Sequence, residues 1–190
     1  MNLITQDNGI YIFKQDEDNF INFCPSRGGI ITKWVKNSEN ILYFDEERFL
    51  NKFQSIRGGI PVLFPICGSL SKRAFFGDNY IDLNQHGFAR DIMWQFAIDR
   101  EQRTLNLSLV SNQFTKKYYP FDFKLKIQLH FGIDSLEFKI KIENFSRKKM
   151  PINFGLHPYF NISTFKKIEF INYPLNCQNQ KNNTLELSDN

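Results

Sequence analysis

Hydrophobic and polar residues alternate along much of the chain, most regularly between Lys124 and Glu143. This stretch has two halves in which every second residue is apolar: Leu125, Ile127, Leu129 and Phe131 in the first, and Leu136, Phe138, Ile140 and Ile142 in the second. A period of two is typical of a strand with one buried face. The Gly132-Ile133-Asp134-Ser135 segment between the halves consists largely of turn residues and predicts a β-hairpin. His130 falls on the polar face, and we interpret it as a solvated side chain.

The same alternation occurs in shorter segments elsewhere in the chain. Seven further strands are predicted, at Gly9–Lys14, Phe20–Cys24, Ile30–Val35, Ile41–Phe44, Tyr80–Leu83, Trp94–Asp99 and Leu105–Val110. Short strands separated by turn signals are typical of an antiparallel sandwich or barrel. No segment keeps a helical period over three turns, and a strand-like stretch at Lys167–Ile171 is the last of the series.

Two stretches interrupt this pattern. Residues 56–70 contain three glycines and two prolines, which predicts a loop. Residues 177–190 are rich in Asn and Gln and poor in apolar residues, so we predict a disordered tail there. The whole chain has 190 residues, a length that suits one domain with a substantial core. We therefore predict a single β-domain over residues 1–176.

The composition narrows the classes of protein to be considered. Hydrophobic residues make up 42% of the chain and include 21 phenylalanines, as expected for a folded protein. The net charge of +4 arises from basic residues scattered among acids, which argues against a nucleic-acid partner. Cys24, Cys67 and Cys177 are odd in number and widely spaced, which argues against a disulfide framework. No apolar run has the length of a membrane span, so we expect a cytoplasmic protein with no membrane partner.

A pair of glycines is the centre of the first candidate site, Arg57-Gly58-Gly59-Ile60-Pro61. Paired glycines let the backbone approach a ligand closely, and the neighbouring Arg offers a planar fork that matches phosphate or carboxylate. The alternative interpretation is a tight turn with a solvated Arg57. The earlier tetrapeptide Arg27-Gly28-Gly29-Ile30 has the same letters but lacks the proline-containing apolar continuation. We interpret that one as an ordinary entry into a strand.

Two histidines occur in glycine- or proline-containing motifs. In His86-Gly87-Phe88-Ala89-Arg90, the imidazole can donate or accept a hydrogen bond near neutral pH, and Arg90 is placed to meet the same anion as Arg57. In Leu156-His157-Pro158-Tyr159-Phe160, an extended His157 flanked by aromatic residues is suited to act as a general acid. The alternatives are a loop His86 paired with Asp91 and a His157 satisfied at a strand end.

Taken together, the three motifs resemble those of the aldose 1-epimerase (galactose mutarotase-like) family, with the hexose-6-phosphate 1-epimerases as the nearest branch. The resemblance covers about residues 8–172 and implies an all-β antiparallel sandwich of the galactose mutarotase-like type, incomplete at its C-terminal end. It implies that Arg57 and Arg90 hold the phosphate of a hexose 6-phosphate. It also implies that His86 contacts the sugar hydroxyls and that His157 donates a proton to the ring oxygen.

The implied reaction interconverts the α and β anomers of a hexose or hexose 6-phosphate by opening and reclosing its ring. Because only protons move, the reaction needs an acid and a base but no metal or redox cofactor. The three histidines of the sequence, His86, His130 and His157, have no metal-ligand spacing. We therefore expect no metal and no cofactor.

The base of the family is a glutamate in a later strand, beyond the region of resemblance. The glutamates that follow His157 here are Glu169 and Glu186. The resemblance therefore leaves two alternatives to an active epimerase: a non-catalytic relative that binds a sugar phosphate, and a shortened remnant without the catalytic glutamate. An incomplete sandwich would also expose sheet edges, through which the chain would associate with itself.

Overall fold

The computed structural model confirms a mainly β-chain organised around two antiparallel sheets. The described residues are 2–5, 9–51, 53–70, 74–76, 79–81, 83–132, 134–164, 176–179 and 184–187. None of the helices in these ranges is long and apolar enough to cross a membrane.

The first part of the chain forms a five-stranded sheet in the order β1-β2-β3-β4-β5. Its strands are β1 (Asn2–Thr5), β2 (Tyr11–Lys14), β3 (Phe20–Cys24), β4 (Ile30–Lys36) and β5 (Glu39–Asn40). The strand predicted at Phe20–Cys24 is confirmed with the same bounds. A 3-10 turn at Pro25–Arg27 separates β3 from β4, and Gly28 and Gly29 complete the reversal with positive φ angles of 73° and 62°.

Four short elements follow the first sheet: α1 (Glu46–Leu50), β6 (Val62–Leu63), β7 (Ala74–Phe76) and β8 (Asn79–Ile81). The helix α1 begins after Asp45, whose carboxylate accepts the backbone N–H of Arg48 at 3.0 Å. This bond satisfies one of the amides that the first turn of a helix leaves without a partner. The strands β7 and β8 pair with each other.

The second sheet has four strands in the order β12-β11-β10-β9. They are β9 (Gln95–Asp99), β10 (Thr104–Val110), β11 (Phe123–Phe131) and β12 (Leu136–Asn144), and a helix, α2 (Gln113–Tyr118), joins β10 to β11. The predicted hairpin is confirmed as β11 and β12, which pair from Phe123 with Asn144 to Phe131 with Leu136. His130 lies opposite Glu137 with 45% of its side chain exposed, as its place on the polar face predicts.

Aromatic side chains join the two sheets across the core. Phe13 of β2 stacks on Phe131 of β11 with ring centroids 5.5 Å apart. Phe23 of β3 meets Phe96 of β9 edge-on at 5.3 Å. Such pairs contribute about 0.5–1.5 kcal/mol each beyond the burial of their area. Because the two sheets are separate and face each other, the fold is a sandwich and not a barrel.

The remaining strands are β13 (Gly155–Leu156), β14 (Asn176–Asn179) and β15 (Thr184–Leu187). Most of β14 and all of β15 fall within the segment predicted as a disordered tail, and the two strands pair as a hairpin. The strand predicted at Lys167–Ile171 lies outside the described residues.

The strand predicted at Ile41–Phe44 is wrong as a continuous element. Within it, Leu42 makes a single bridge to Phe160 and Phe44 a single bridge to Gly58. These bridges go to two different segments, and Gly58 and Gly59 in one of them have positive φ angles, so no single partner sustains a regular ladder.

Candidate functional site

The motif around His157 pairs with the segment that follows Arg57. Leu156 of β13 lies opposite Val62 of β6. The pairing continues past the strand, where the backbone N–H of His157 donates to the carbonyl of Pro61 at 3.0 Å and that of Tyr159 to the carbonyl of Gly59 at 2.9 Å. The rings of His157 and Tyr159 are 4.8 Å apart. His157 is exposed at this edge, which leaves its imidazole open to a ligand.

The motif around His86 forms a tight turn that makes two hydrogen bonds with Gly68, one donated by each residue. The backbone N–H of His86 donates to the carbonyl of Gly68 at 2.8 Å, and the N–H of Gly68 donates to Nδ1 of the His86 ring at 2.9 Å. Because Nδ1 accepts a hydrogen bond, the neutral ring carries its proton on Nε2. The turn therefore presents a hydrogen-bond donor of fixed orientation.

The two histidines form a pair. Their ring centroids lie 6.1 Å apart, and the ring planes are inclined by 70°. His86 is half-buried and His157 is exposed. A polar ligand held against this pair meets an N–H donor from His86 and a second imidazole that is able to exchange a proton.

The environment of His86 favours its neutral form. Burial lowers the pKa of this imidazole below its ordinary value of 6.5, and the positive charges of Arg90 and His157 act in the same direction. Both causes penalise a charged ring, through lost hydration and like-charge repulsion. At neutral pH, His86 is therefore a donor of hydrogen bonds and not a source of protons.

We expect the imidazole of His86 to titrate below pH 6.5 in the folded chain, and Arg90→Gln to raise its midpoint. The unfolded chain binds this proton more readily, so the free energy of unfolding falls as the pH drops through 6.5 and is unaffected by His86 at higher pH. The measurement is an NMR titration of the ring carbons. The control is Arg100→Gln, which removes an exposed charge in the turn after β9 and should leave the midpoint unchanged. A midpoint at or above 6.5 would contradict the prediction.

Arg90 and Asp91 lie on the other side of the His86 turn. The guanidinium of Arg90 donates from Nη2 to the carbonyl of Gln85 at 3.0 Å, and its Nε lies 3.7 Å from the carboxylate of Asp91. Burial raises the pKa of Asp91, while the charges of Arg90 and Arg27 oppose that shift. The alternative in which His86 pairs with Asp91 is not what the structure shows, because Asp91 faces Arg90 and the His86 ring is bonded to Gly68.

A cavity of about 330 Å³ opens beside the two histidine motifs. Its lining comes from three parts of the chain: Arg27, residues 53–56 with Pro61, and Asn84, Gln85, Arg90 and Asp91. The carbonyl of Pro61 also accepts the backbone N–H of His157, and Gln85 directly precedes His86, so the cavity shares residues with both histidine motifs, while neither histidine is among its lining residues. The volume lies within the range of about 300–1,000 Å³ that is usual for small-molecule sites.

The structure brings together three of the four site residues that the sequence predicts: His86, Arg90 and His157. Arg57 is exposed at the start of the segment that pairs with the His157 motif, and its carbonyl accepts the N–H of Asp45 at 2.9 Å. As far as the described residues extend, Arg57 does not line the cavity. Its contact with a phosphate therefore stays a prediction.

Gly68 and Arg27 were missed by the sequence analysis. Gly68 contributes through its backbone, and nothing in the sequence pattern pairs it with a histidine 18 positions away. Arg27 did carry a signal, because its tetrapeptide repeats that of Arg57. No group of three or more His, Cys, Asp or Glu side chains that could hold a metal ion is found in the described part of the chain.

Comparison with known proteins places this arrangement in a family. The sequence profile of the family described as "Aldose 1-epimerase" matches residues 15–186. A protein from Cenchrus ciliaris named "Putative glucose-6-phosphate 1-epimerase" is 28% identical in an alignment of 155 residues, and the match covers 74% of this chain and 44% of that protein. One of the same name from Escherichia coli K12 is 27% identical in an alignment of 146 residues, and the match covers 75% of this chain and 45% of that protein.

Solved structures show the same fold. The Slr1438 protein from Synechocystis sp. PCC 6803 superposes with a TM-score of 0.82 and 34% identity, over 95% of this chain and 64% of that one. A galactose mutarotase-like protein from Lactobacillus casei superposes with a TM-score of 0.75 and 21% identity, over 94% and 63%. The chain thus spans less than half the length of the two curated relatives and less than two thirds of these structures. From the profile match over most of its length, the chain belongs to the aldose 1-epimerase family.

Proposed function

We propose that the chain acts as a mutarotase on a hexose 6-phosphate and interconverts its α and β anomers. The observation that carries this proposal is the His86–His157 pair next to Arg90, which itself lines a cavity of about 330 Å³. One imidazole has a fixed donor and is kept neutral, while the other is exposed to the ligand. This arrangement suits a reaction in which a sugar ring is oriented by hydrogen bonds and its ring oxygen receives one proton.

In the proposed reaction, His157 donates a proton to the ring oxygen while a base removes the proton from the hydroxyl on C1. The bond between C1 and the ring oxygen breaks, and C1 becomes an aldehyde. After rotation about the C1–C2 bond, the same transfers run in reverse and the ring closes on the other face of C1. His86 holds a sugar hydroxyl through Nε2–H, and Arg90 binds the phosphate through charge-assisted hydrogen bonds.

A further residue must supply the base of this reaction. By resemblance it is a glutamate that follows His157. Glu169 lies outside the described residues, and Glu186 lies in β15 with its backbone opposite Cys177. The charges that shift the pKa of His86 come from Arg90 and His157, and no carboxylate of the described residues is among them. A second candidate function, which needs no base, is that of a protein that binds a sugar phosphate without turning it over.

The relatives support the choice of a phosphorylated sugar. The proteins from Cenchrus ciliaris and Escherichia coli carry names that specify glucose 6-phosphate. Arg90 matches that chemistry, because a guanidinium binds a phosphate with two parallel hydrogen bonds. Location in the cytoplasm and self-association through sheet edges stay predictions from the sequence.

Exchange NMR with the wild-type chain tests the proposal. We expect the α and β anomers of glucose 6-phosphate to interconvert above the buffer rate, and those of glucose to be accelerated less, because only the phosphate engages Arg90. Binding of glucose 6-phosphate without acceleration would favour the second candidate function. Equal affinity for the two sugars would contradict the assignment to phosphorylated hexoses.

A further inference from the structure

The turn at Arg27 packs directly against the turn at Arg90. Gly28, with φ of 73°, lies so close that a Cβ atom there would overlap the backbone of Arg90. Its N–H donates to the carbonyl of Ile92 at 2.9 Å, and the N–H of Trp94 donates to the carbonyl of Pro25 at the same distance. Two segments far apart in sequence are thus held backbone to backbone, and both arginines line one cavity.

The guanidinium of Arg27 is held in place on one side. Its Nη1 donates to the carbonyl of Phe49, and its central carbon lies 4.8 Å from the centre of the Phe49 ring. Arg27 is half-buried, and it has four further N–H donors besides the one bonded to Phe49. Because stacking and this hydrogen bond orient the planar fork, little additional ordering is required when an anion binds.

The charges around the cavity do not balance. Among the described residues that line the cavity, Arg27 and Arg90 supply two positive charges and Asp91 supplies one negative charge. The other polar residues of the lining are neutral: Gln54, Ser55, Asn84 and Gln85. The carboxylate of Asp91 lies 3.7 Å from Nε of Arg90, too far for a hydrogen bond. The lining therefore favours an additional anion.

We propose that Arg27 determines specificity by forming, together with Arg90, the subsite for the phosphate of the substrate. The inference deepens the proposed function and rests on it, since it adds Arg27 to the arginines that the sequence predicts to anchor the anion, Arg57 and Arg90. In a hexose 6-phosphate, C6 is attached to C5, which is bonded to the ring oxygen on the side opposite C1. A phosphate in the cavity thus leaves the ring oxygen and C1 free to reach the adjoining histidine pair.

The test compares the affinities of glucose 6-phosphate, glucose and inorganic phosphate for wild type, Arg27→Gln and the control Arg100→Gln, at low ionic strength. Arg27→Gln should weaken both phosphate ligands by about 10-fold and leave glucose unchanged, since a hydrogen bond to a charged group is lost. Arg100→Gln should match wild type. A folded Arg27→Gln variant with wild-type affinity for inorganic phosphate overturns the inference.

The design separates this inference from the proposed function. If wild type binds inorganic phosphate through Arg27 but does not prefer glucose 6-phosphate over glucose, the anion subsite stands and the phosphohexose function fails. If the loss of the hydrogen bond to Phe49 prevents Arg27→Gln from folding, an NMR titration of the wild-type chain with inorganic phosphate tests the inference instead. Inorganic phosphate must then shift the Nε–H signals of Arg27 and Arg90 and not that of Arg100. An unshifted Arg27 signal overturns the inference.

Discussion

In the His157→Gln variant, exchange between the anomers of glucose 6-phosphate is expected to fall by about 10²–10⁴-fold, the usual contribution of a positioned acid or base. Glutamine keeps a hydrogen-bonding side chain but has no proton to release at neutral pH. The backbone N–H of residue 157, which donates to the carbonyl of Pro61 at 3.0 Å, is retained, so the pairing that positions the site persists. The measurement is exchange NMR at matched protein concentration, with the buffer rate subtracted.

His130→Gln is the matched control for this prediction. His130 lies on the polar face of β11, opposite Glu137 and with 45% of its side chain exposed, so its replacement removes an imidazole without touching the site. It should exchange the anomers at the wild-type rate. Affinity for glucose 6-phosphate should survive in His157→Gln, because Arg90 and His86 remain. A His157→Gln variant with the wild-type exchange rate would exclude His157 as the acid.

The strands of the sandwich are predictable from the sequence because their pattern is local. In β11, each buried residue is separated from the next by one polar residue, and in β12 the apolar residues keep the same spacing although none of them is buried and Ile140 is exposed. The same reasoning finds Phe20–Cys24, which forms β3 with the predicted bounds. It fails at Ile41–Phe44, where the apolar run is equally clear but Leu42 and Phe44 bridge to two different segments, at Phe160 and at Gly58. A strand depends on its partner, and the local pattern does not show the partner.

The chemistry of the site is predictable in part for the same reason. Motif residues identify His86, Arg90 and His157, but their proximity depends on contacts between segments distant in sequence. The orientation of the His86 ring comes from the N–H of Gly68, which any residue type except proline would offer. The two Arg-Gly-Gly-Ile tetrapeptides illustrate the limit most clearly. The structure places the arginine of the first one, Arg27, in the cavity with Arg90, and leaves Arg57 of the second exposed outside the lining.

Gly87→Ala is expected to lower the free energy of unfolding by about 4 kcal/mol or more. Losses of this size arise when a substitution disrupts the backbone or the core. Gly87 has φ of 71°, and an added Cβ would overlap the carbonyl oxygen of Phe64. That oxygen accepts the N–H groups of Phe88 and Ala89 at 3.1 and 3.2 Å, and the Phe64 side chain is fully buried. Neither the carbonyl of Phe64 nor the turn at Gly87 can shift without breaking these hydrogen bonds or the packing of the Phe64 side chain. Relaxation of the backbone would therefore itself cost free energy. The measurement is urea unfolding followed by tryptophan fluorescence.

Gly68→Ala provides the control, because it separates the cost of the backbone angle from the cost of the overlap. Gly68 also has a positive φ, of 99°, but a Cβ there would meet no atom within 4 Å. Alanine keeps the N–H that binds His86, so this variant should lose only about 1–2 kcal/mol for the unfavourable angle. If the free energy of unfolding fell equally in the two variants, the backbone near Phe64 would have moved to remove the overlap, and the loss would come from the positive φ angle alone. A larger loss in Gly87→Ala would show that the turn behind His86 is fixed by its packing on Phe64, and that the histidine pair depends on the core beneath it.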